Sequence, residues 1–240
     1  MTNDGVSNLI IDDIVDLAEQ MSNPVLLKDK NGRYLYANQA SIELFGMKKQ
    51  SDLIGINAKE LNNKVVHRWH NDYQQAVSDL DAYVVRAHRS GHDRMRTIPC
   101  QDGTLRVQNM IKKPMVNKLS NKVTSIFTFS ENLTNSIALT DLLRVYVKFY
   151  PSKQTAIGYF LKYLGIDSLF STPPSIREME TIIFIAILGC QKLVSKNMNI
   201  SIRTVEENVR KIRKNKLKDE YFWTILLELM RNDRRKINLT

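Results

Sequence analysis

Pro173 and Pro174 stand side by side after Thr172. Neither a helix interior nor an inner strand runs through such a pair, because both backbone donors are missing. The chain must break there, and its 240 residues leave room for one large domain or two ordinary ones. Charge changes across the break. Residues 1–131 hold 17 basic and 15 acidic side chains, residues 132–170 hold 4 and 2, and residues 171–240 hold 14 and 8. The densest stretch, Lys192 to Lys218, sets nine basic residues against Glu206 and Glu207, a local +7. An excess of that kind attracts a polyanion through phosphate contacts and counterion release; a solvated helix face would show the same charge.

Beyond the prolines, Ser175-Ile176-Arg177-Glu178 has the form of a capping box that starts a helix. The helix runs through an apolar face to a stop at Gly189. A short helix fits Lys192 to Met198, Asn199-Ile200 makes a turn, and Ser201 caps a third helix from Ile202 to about Leu217. In that helix Ile202, Val205, Val209 and Ile212 recur at helical spacing and are expected to pack inward. Arg203, Glu207, Arg210 and Lys214 form an outward stripe, flanked by Thr204, Asn208 and Lys211. A short helix packed against a longer one with a basic outer face is what major-groove docking requires.

These motifs, Arg177-Glu178-Met179-Glu180, Gly189 and Ile200 to Glu206 with the basic helix after them, resemble the LuxR-type DNA-binding domain over roughly 175–230. The resemblance implies a four-helix unit whose third helix reads DNA. It implies Arg203 and Thr204 at phosphates, Glu206, Glu207 and Arg210 at base edges, and Lys211 and Lys214 along the backbone. Three features depart from the family pattern. The loop after Gly189 is one residue short, Leu193-Val194-Ser195 replaces Glu-Ile-Ala, and Asn208 stands where histidine is usual.

The N-terminal part opens with apolar positions Leu9, Ile10, Ile14, Leu17 and Met21, which suit an amphipathic helix. Pro24 to Tyr36, with Asn31-Gly32 inside, reads as a β-hairpin. Short helices are expected at Ala37–Phe45 and Ser51–Ile54, and a longer one around Val65–Val85. Strands are expected at Arg94–Cys100, Leu105–Pro114 and Val123–Glu131. The pattern is α+β: an antiparallel sheet with helices inserted in its middle. Pro24 to Asn38, Leu44-Phe45-Gly46, Asp52 to Gly55, Asp102-Gly103-Thr104 and Lys112-Lys113-Pro114 together resemble a PAS domain over about 12–131. The expected organisation is a PAS-like domain at 1–131, a helical linker at 132–171 and an all-α four-helix unit at 172–240.

A PAS domain holds haem, flavin, a small molecule or nothing. Cys100 and Cys190 lie far apart, outside the middle helices, and are expected as reduced thiols. His67 and His70 share a helical face and could ligate haem iron, but such residues on a polar stretch are more often surface histidines. Trp69 and Tyr73 resemble the aromatic pair of acyl-lactone receptors, with Asp79 and Asp81 near the partner position; plain core packing explains the same spacing. Asp12-Asp13 superficially resembles a receiver's acidic pair, though helical periodicity accounts for it. Leu26, Leu35, Ile42, Phe45, Trp69, Ile126 and Phe127 are the candidate core or cavity lining.

The longest apolar run, Ile182–Leu188, falls far short of a bilayer span of roughly 20 residues. No phosphate-binding glycine loop, nucleophile elbow or metal-type cysteine cluster occurs. The expected protein is a cytoplasmic one-component transcription regulator, not an enzyme and not membrane-bound. It would hold no cofactor, bind double-stranded DNA as a homodimer, and take a small-molecule signal in the PAS-like part. The alternatives are a quorum-sensing receptor for an acyl lactone and a non-DNA protein-interaction module.

Overall fold

The computed structural model describes residues 15–65, 67 and 71–232, and the chain forms two compact units that divide between residues 133 and 134. Leu9, Ile10, Asp12, Asp13, Ile14, Trp69 and His70 lie outside the described residues.

The first unit is built on a five-stranded antiparallel sheet, β1 (Val25–Asp29), β2 (Tyr34–Ala37), β3 (Gly91–Pro99), β4 (Leu105–Asn117) and β5 (Lys122–Asn132), in the order β2-β1-β5-β4-β3. The first hairpin closes because Asp29 Oδ1 accepts from the amides of Asn31 and Arg33 while Gly32 adopts φ 79°. Three helices connect β2 to β3: α1 (Gln39–Phe45), α2 (Ala58–Lys64) and α3 (Asn71–Ala87). The helix expected around Val65–Val85 starts later, and α2 precedes it. Asn57 and Glu60 cap α2 reciprocally, but only Ala58, Leu61 and Asn62 face inward, too few for apolar periodicity to mark the helix.

Two apolar layers sandwich the sheet. On one face Leu26, Tyr34, Ile42, Phe45, Leu53, Leu61 and Ile98 pack with the helices. On the other, Ala18 from the helical residues 15–19 covers Val25 and Tyr36, with Phe127 and Phe129 beside them. Phe127 therefore serves the opposite face from Ile126, and Leu35 is 48% exposed, so neither lines the inner core as expected. Strand alternation sends neighbours to opposite faces. Asn38, fully buried, ties the layers together. Its Oδ1 accepts from the Val25 and Ser41 amides, and its Nδ2 donates to the carbonyls of Ala18, Met21 and Asn23.

The second unit begins with α4 (Leu139–Phe149) and α5 (Lys153–Tyr163). The expected helical linker is a packed hairpin, broken at Pro151 and centred on Tyr146, which meets Phe160 edge-on at 5.4 Å. After a 3-10 turn at Asp167–Leu169 come α6 (Ile176–Leu188), α7 (Gln191–Met198), α8 (Ile202–Asn215) and α9 (Phe222–Asn232). Pro173-Pro174 lies inside this unit. The chain before it pairs with the end of α8, through Ser171 N to Lys216 O at 2.7 Å and Lys218 N to Leu169 O at 3.0 Å. Among the described residues no helix is long and apolar enough to cross a membrane.

Candidate nucleic-acid interface and internal cavity

The four C-terminal helices start and stop on local chemistry. Ser175 and Glu178 form the capping box of α6, whose carbonyl end stops at Gly189 with φ 65°, a conformation open to glycine at little cost. Asn199, also left-handed, ends α7, and the Ser201 hydroxyl accepts from the Thr204 amide to start α8. Ile185, Val194, Met198 and Val205 form the core beneath α7 and α8, with Val209 and Trp223 at its edge. Val205 and Ile212 are fully buried and Val209 half-buried, but Ile202 is 43% exposed because it stands in the first turn, before the helix reaches the core.

The outer face of α8 presents most of the residues expected to meet DNA. Arg203, Thr204, Glu206, Arg210, Lys211 and Lys214 are exposed and Glu207 half-buried. Arg203 Nε lies 3.3 Å from Glu207 Oε1, so one carboxylate on this face is already paired with a cation of its own helix. Asn208 departs from expectation. Half-buried, it donates to Thr181 Oγ1 at 3.2 Å and fastens α8 to α6. Exposed Arg213, in the last turn, joins the basic face, and its phase on the helix was legible in the sequence.

In the first unit a cavity of about 30 Å³ lies between the sheet and α1 and α3, lined in part by Leu26, Phe45, Tyr73, Arg96, Gln108 and Thr128. Its wall contains a buried charge cluster. Lys28 Nζ donates to Asp81 Oδ2 at 2.8 Å, and Lys112 Nζ donates to Asp81 Oδ1 and to the Val77 carbonyl. Burial resists charge on Lys28, but Tyr34 and Asp81 outweigh it and its pKa rises. Burial alone would raise the Asp81 pKa, yet the two lysines hold it below the usual carboxylate value. Lys112 goes the other way: burial and the Lys28 charge beside it bring its pKa down to about 7 against the pull of Asp81. Arg96 stacks over the Tyr73 ring, 4.1 Å from its centroid, and pairs with Asp93 at 3.0 Å. Burial pushes the Tyr73 hydroxyl up to about 12.

Asp81, read in sequence as near the partner position of an acyl-lactone site, is instead the counter-ion of two lysines. Lys28 and Lys112 were not singled out. The available signal was strand phase, since Lys28 follows the core residue Leu26 by two and Lys112 follows Met110 by two. His67 lines a separate small pocket with Cys100 and Gln101, while His88 and His92 are exposed. Among the described residues no three His, Cys, Asp or Glu side chains gather as metal ligands. A larger depression of about 300 Å³ lies by His92, Asn109, Ile111, Phe129 and Glu131. The buried polar side-chain atoms without a hydrogen-bond partner, on Arg96, Gln108 and Thr128, belong instead to residues that line the smaller cavity.

A five-stranded antiparallel sheet with its helices inserted between the second and third strands, and a small cavity beneath them, defines an α+β domain. The PAS fold model matches residues 12–131, half of the chain, and the protein belongs to the PAS family. A diguanylate cyclase of Vibrio cholerae is 26% identical over 120 residues, which are 50% of this chain and 35% of that protein, so the match spans about a third of the relative's length. Among solved structures, a Vibrio cholera VqmA–ligand–DNA complex is 21% identical, covers 92% of this chain and 86% of its own, and has a TM-score of 0.48. A phage VqmA–DPO complex is 17% identical, covers 97% and 91%, and scores 0.47. Likenesses at this level leave the helical unit to be argued from its own residues.

Proposed function

We propose that the protein is a DNA-binding transcription regulator in which the PAS domain senses a small molecule and α7 and α8 grip the double helix. One observation carries the reading: α8 is capped, rooted by Val205 and Ile212, and exposes Arg203, Arg210, Lys211 and Lys214 along one face, with Arg213 beside them paired to Glu220 at 3.5 Å. A rigid, basic, exposed helix preceded by a short helix and a tight turn fits the major groove, with the first turn at phosphates. Arg203 and Thr204 sit at that first turn. Glu206, Glu207 and Arg210 follow where base edges would lie, and Lys211 and Lys214 flank them. Glutamates at such positions accept from cytosine amino groups.

On this reading the protein works in the cytoplasm by binding rather than by catalysis. Residues 1–131 are the sensor, 132–171 the helical connection and 172–240 the DNA-binding part. Two copies would read paired half-sites, and a signal would shift the populations of two arrangements of the dimer. The test is a titration of duplex DNA against salt concentration. A log–log slope corresponding to several neutralised phosphates is expected. A slope near zero would overturn the assignment of α8 to DNA.

A further inference from the structure

The PAS cavity carries two imbalances, and they sit together. One is in hydrogen bonding. Gln108 is fully buried with neither end of its amide partnered, Thr128 Oγ1 has no partner at 1% exposure, and Arg96 keeps Nε and one terminal nitrogen without an acceptor at 5%. Arg96 pairs across the sheet with Gln108, and Thr128 pairs with Lys112 four positions further along β4, so the orphaned groups on β3, β4 and β5 meet only through the cavity that all three line. Buried polar groups are nearly always satisfied, and a cluster of exceptions calls for a specific explanation.

The other imbalance is in charge. Lys28 from β1 and Lys112 from β4 share the single carboxylate of Asp81 on α3, and Arg96 on β3 has Asp93. Tyr34 from β2 and Tyr73 from α3 also face this group, and burial raises the pKa of both, so they bring no negative charge near neutrality. Among the described residues three cations thus stand against two anions in a place where unpaired charge is costly. Either Lys112 surrenders its proton or a further anion enters.

We propose that the cavity binds a small monocarboxylate, whose oxygens accept from Arg96, Thr128 and the Gln108 amide. This rests on the sensor reading of the PAS domain and names what is sensed. Size and charge select the class. A cavity of about 30 Å³ accommodates roughly two water-sized groups, enough for a carboxylate on a short carbon stub and too little for a phosphate ester. A surplus of one positive charge matches a monoanion.

Acetate is the probe, and acetamide, of the same shape and without charge, is its control. Thermal unfolding of the full chain at about pH 6 should shift upward with acetate in a saturable way, with no such shift from acetamide or from chloride at equal ionic strength. Calorimetry near pH 8 in two buffers of different ionisation heat should show a proton taken up as acetate binds. Affinity should fall by about tenfold per pH unit once Lys112 is neutral in the free protein. Gln108→Leu and Thr128→Val should each weaken acetate at least several-fold and leave the circular dichroism unchanged. Equal effects of acetate and acetamide, or an acetate shift that survives both substitutions, would overturn the proposal. So would a calorimetric signal independent of buffer, and that measurement needs no variant. Loss of acetate binding with salt-dependent DNA binding intact sinks this inference alone. Acetate binding without DNA binding sinks the function proposed above alone.

Discussion

The two units use the same side chains in opposite ways. In the PAS domain Lys28, Lys112 and Arg96 are almost wholly buried, the two lysines sharing the Asp81 carboxylate and Arg96 paired with Asp93. On α8 the same residue types stand in solvent, and Glu207 is paired with one of them at the surface. A buried cation is a structural commitment, because removing its partner leaves a desolvated charge. An exposed one costs little and remains free to meet a polyanion, where contacts with phosphates displace counterions. The comparison makes opposite predictions for substitutions that look alike on paper.

The largest expected effect is Asp81→Asn. It keeps the shape but leaves Lys28 and Lys112 without their carboxylate, and breaking a buried pair of this kind costs roughly 3–5 kcal/mol. Urea unfolding should show that loss near pH 7. The sign of the pH dependence follows from the shifts. Asp81 titrates lower in the folded protein, so its contribution is present above the ordinary carboxylate range and fades as pH falls. Lys112 binds fewer protons folded than unfolded between about pH 7 and its ordinary value, so stability gains as pH rises through that window. If Asp81→Asn unfolds at the wild-type urea concentration, the cluster is not the commitment the geometry implies.

Next in size, Arg210→Ala should leave unfolding within about 0.5 kcal/mol of wild type, as exposed substitutions do. On DNA it should cost about 1–3 kcal/mol on the best site and relax base preference at one position. A binding-site selection with wild-type and variant protein checks this. Unchanged preference would move Arg210 from base edge to backbone.

A smaller effect is expected from Lys211→Ala and Lys214→Ala. Each should weaken binding across all sequences and flatten the salt dependence by about one unit of slope. A slope left intact by both would mean that these amines stay in solvent when DNA binds.

The same division explains what the sequence revealed. The starts and stops of the C-terminal helices could be placed to within a residue or two, because capping at Ser175 and Ser201, the stop at Gly189 and the period of Val205, Val209 and Ile212 are local rules. Asn208 escaped them, since its bond to Thr181 depends on how α8 crosses α6. The sheet was legible as alternation with a turn at Gly32. Its order, with β1 between β2 and β5, depends on pairing residues about a hundred apart, such as Val25 with Phe129, and no local pattern carries that. The cavity was the hardest to foresee. Lysines within a strand read as solvent-facing until Asp81, on a helix more than thirty residues away in sequence from Lys112, supplies the reason to bury them. The expectation that Leu35 and Phe127 line the interior failed on phase alone.

The two cysteines give the smallest and sharpest form of the contrast. Cys190 is exposed at the start of α7, where the backbone amide dipoles of Leu193 and Lys192 in the first turn lower its pKa. Cys100 is half-buried, and burial raises its pKa against the opposing pull of Thr104 and Arg106. The thiolate is the reactive form. Limiting iodoacetamide near pH 7.5 should therefore alkylate Cys190 first, as read from the two peptides by mass spectrometry, and its rate should level off at lower pH than that of a free thiol. Cys100 should react slowly in folded protein and catch up once urea removes its burial. The Asp81→Asn variant extends the test. If the charge cluster holds the PAS domain together, that substitution should accelerate Cys100 and leave Cys190 unchanged. Equal acceleration of both would mean that the two units do not lose structure independently, and the contrast between them would fail.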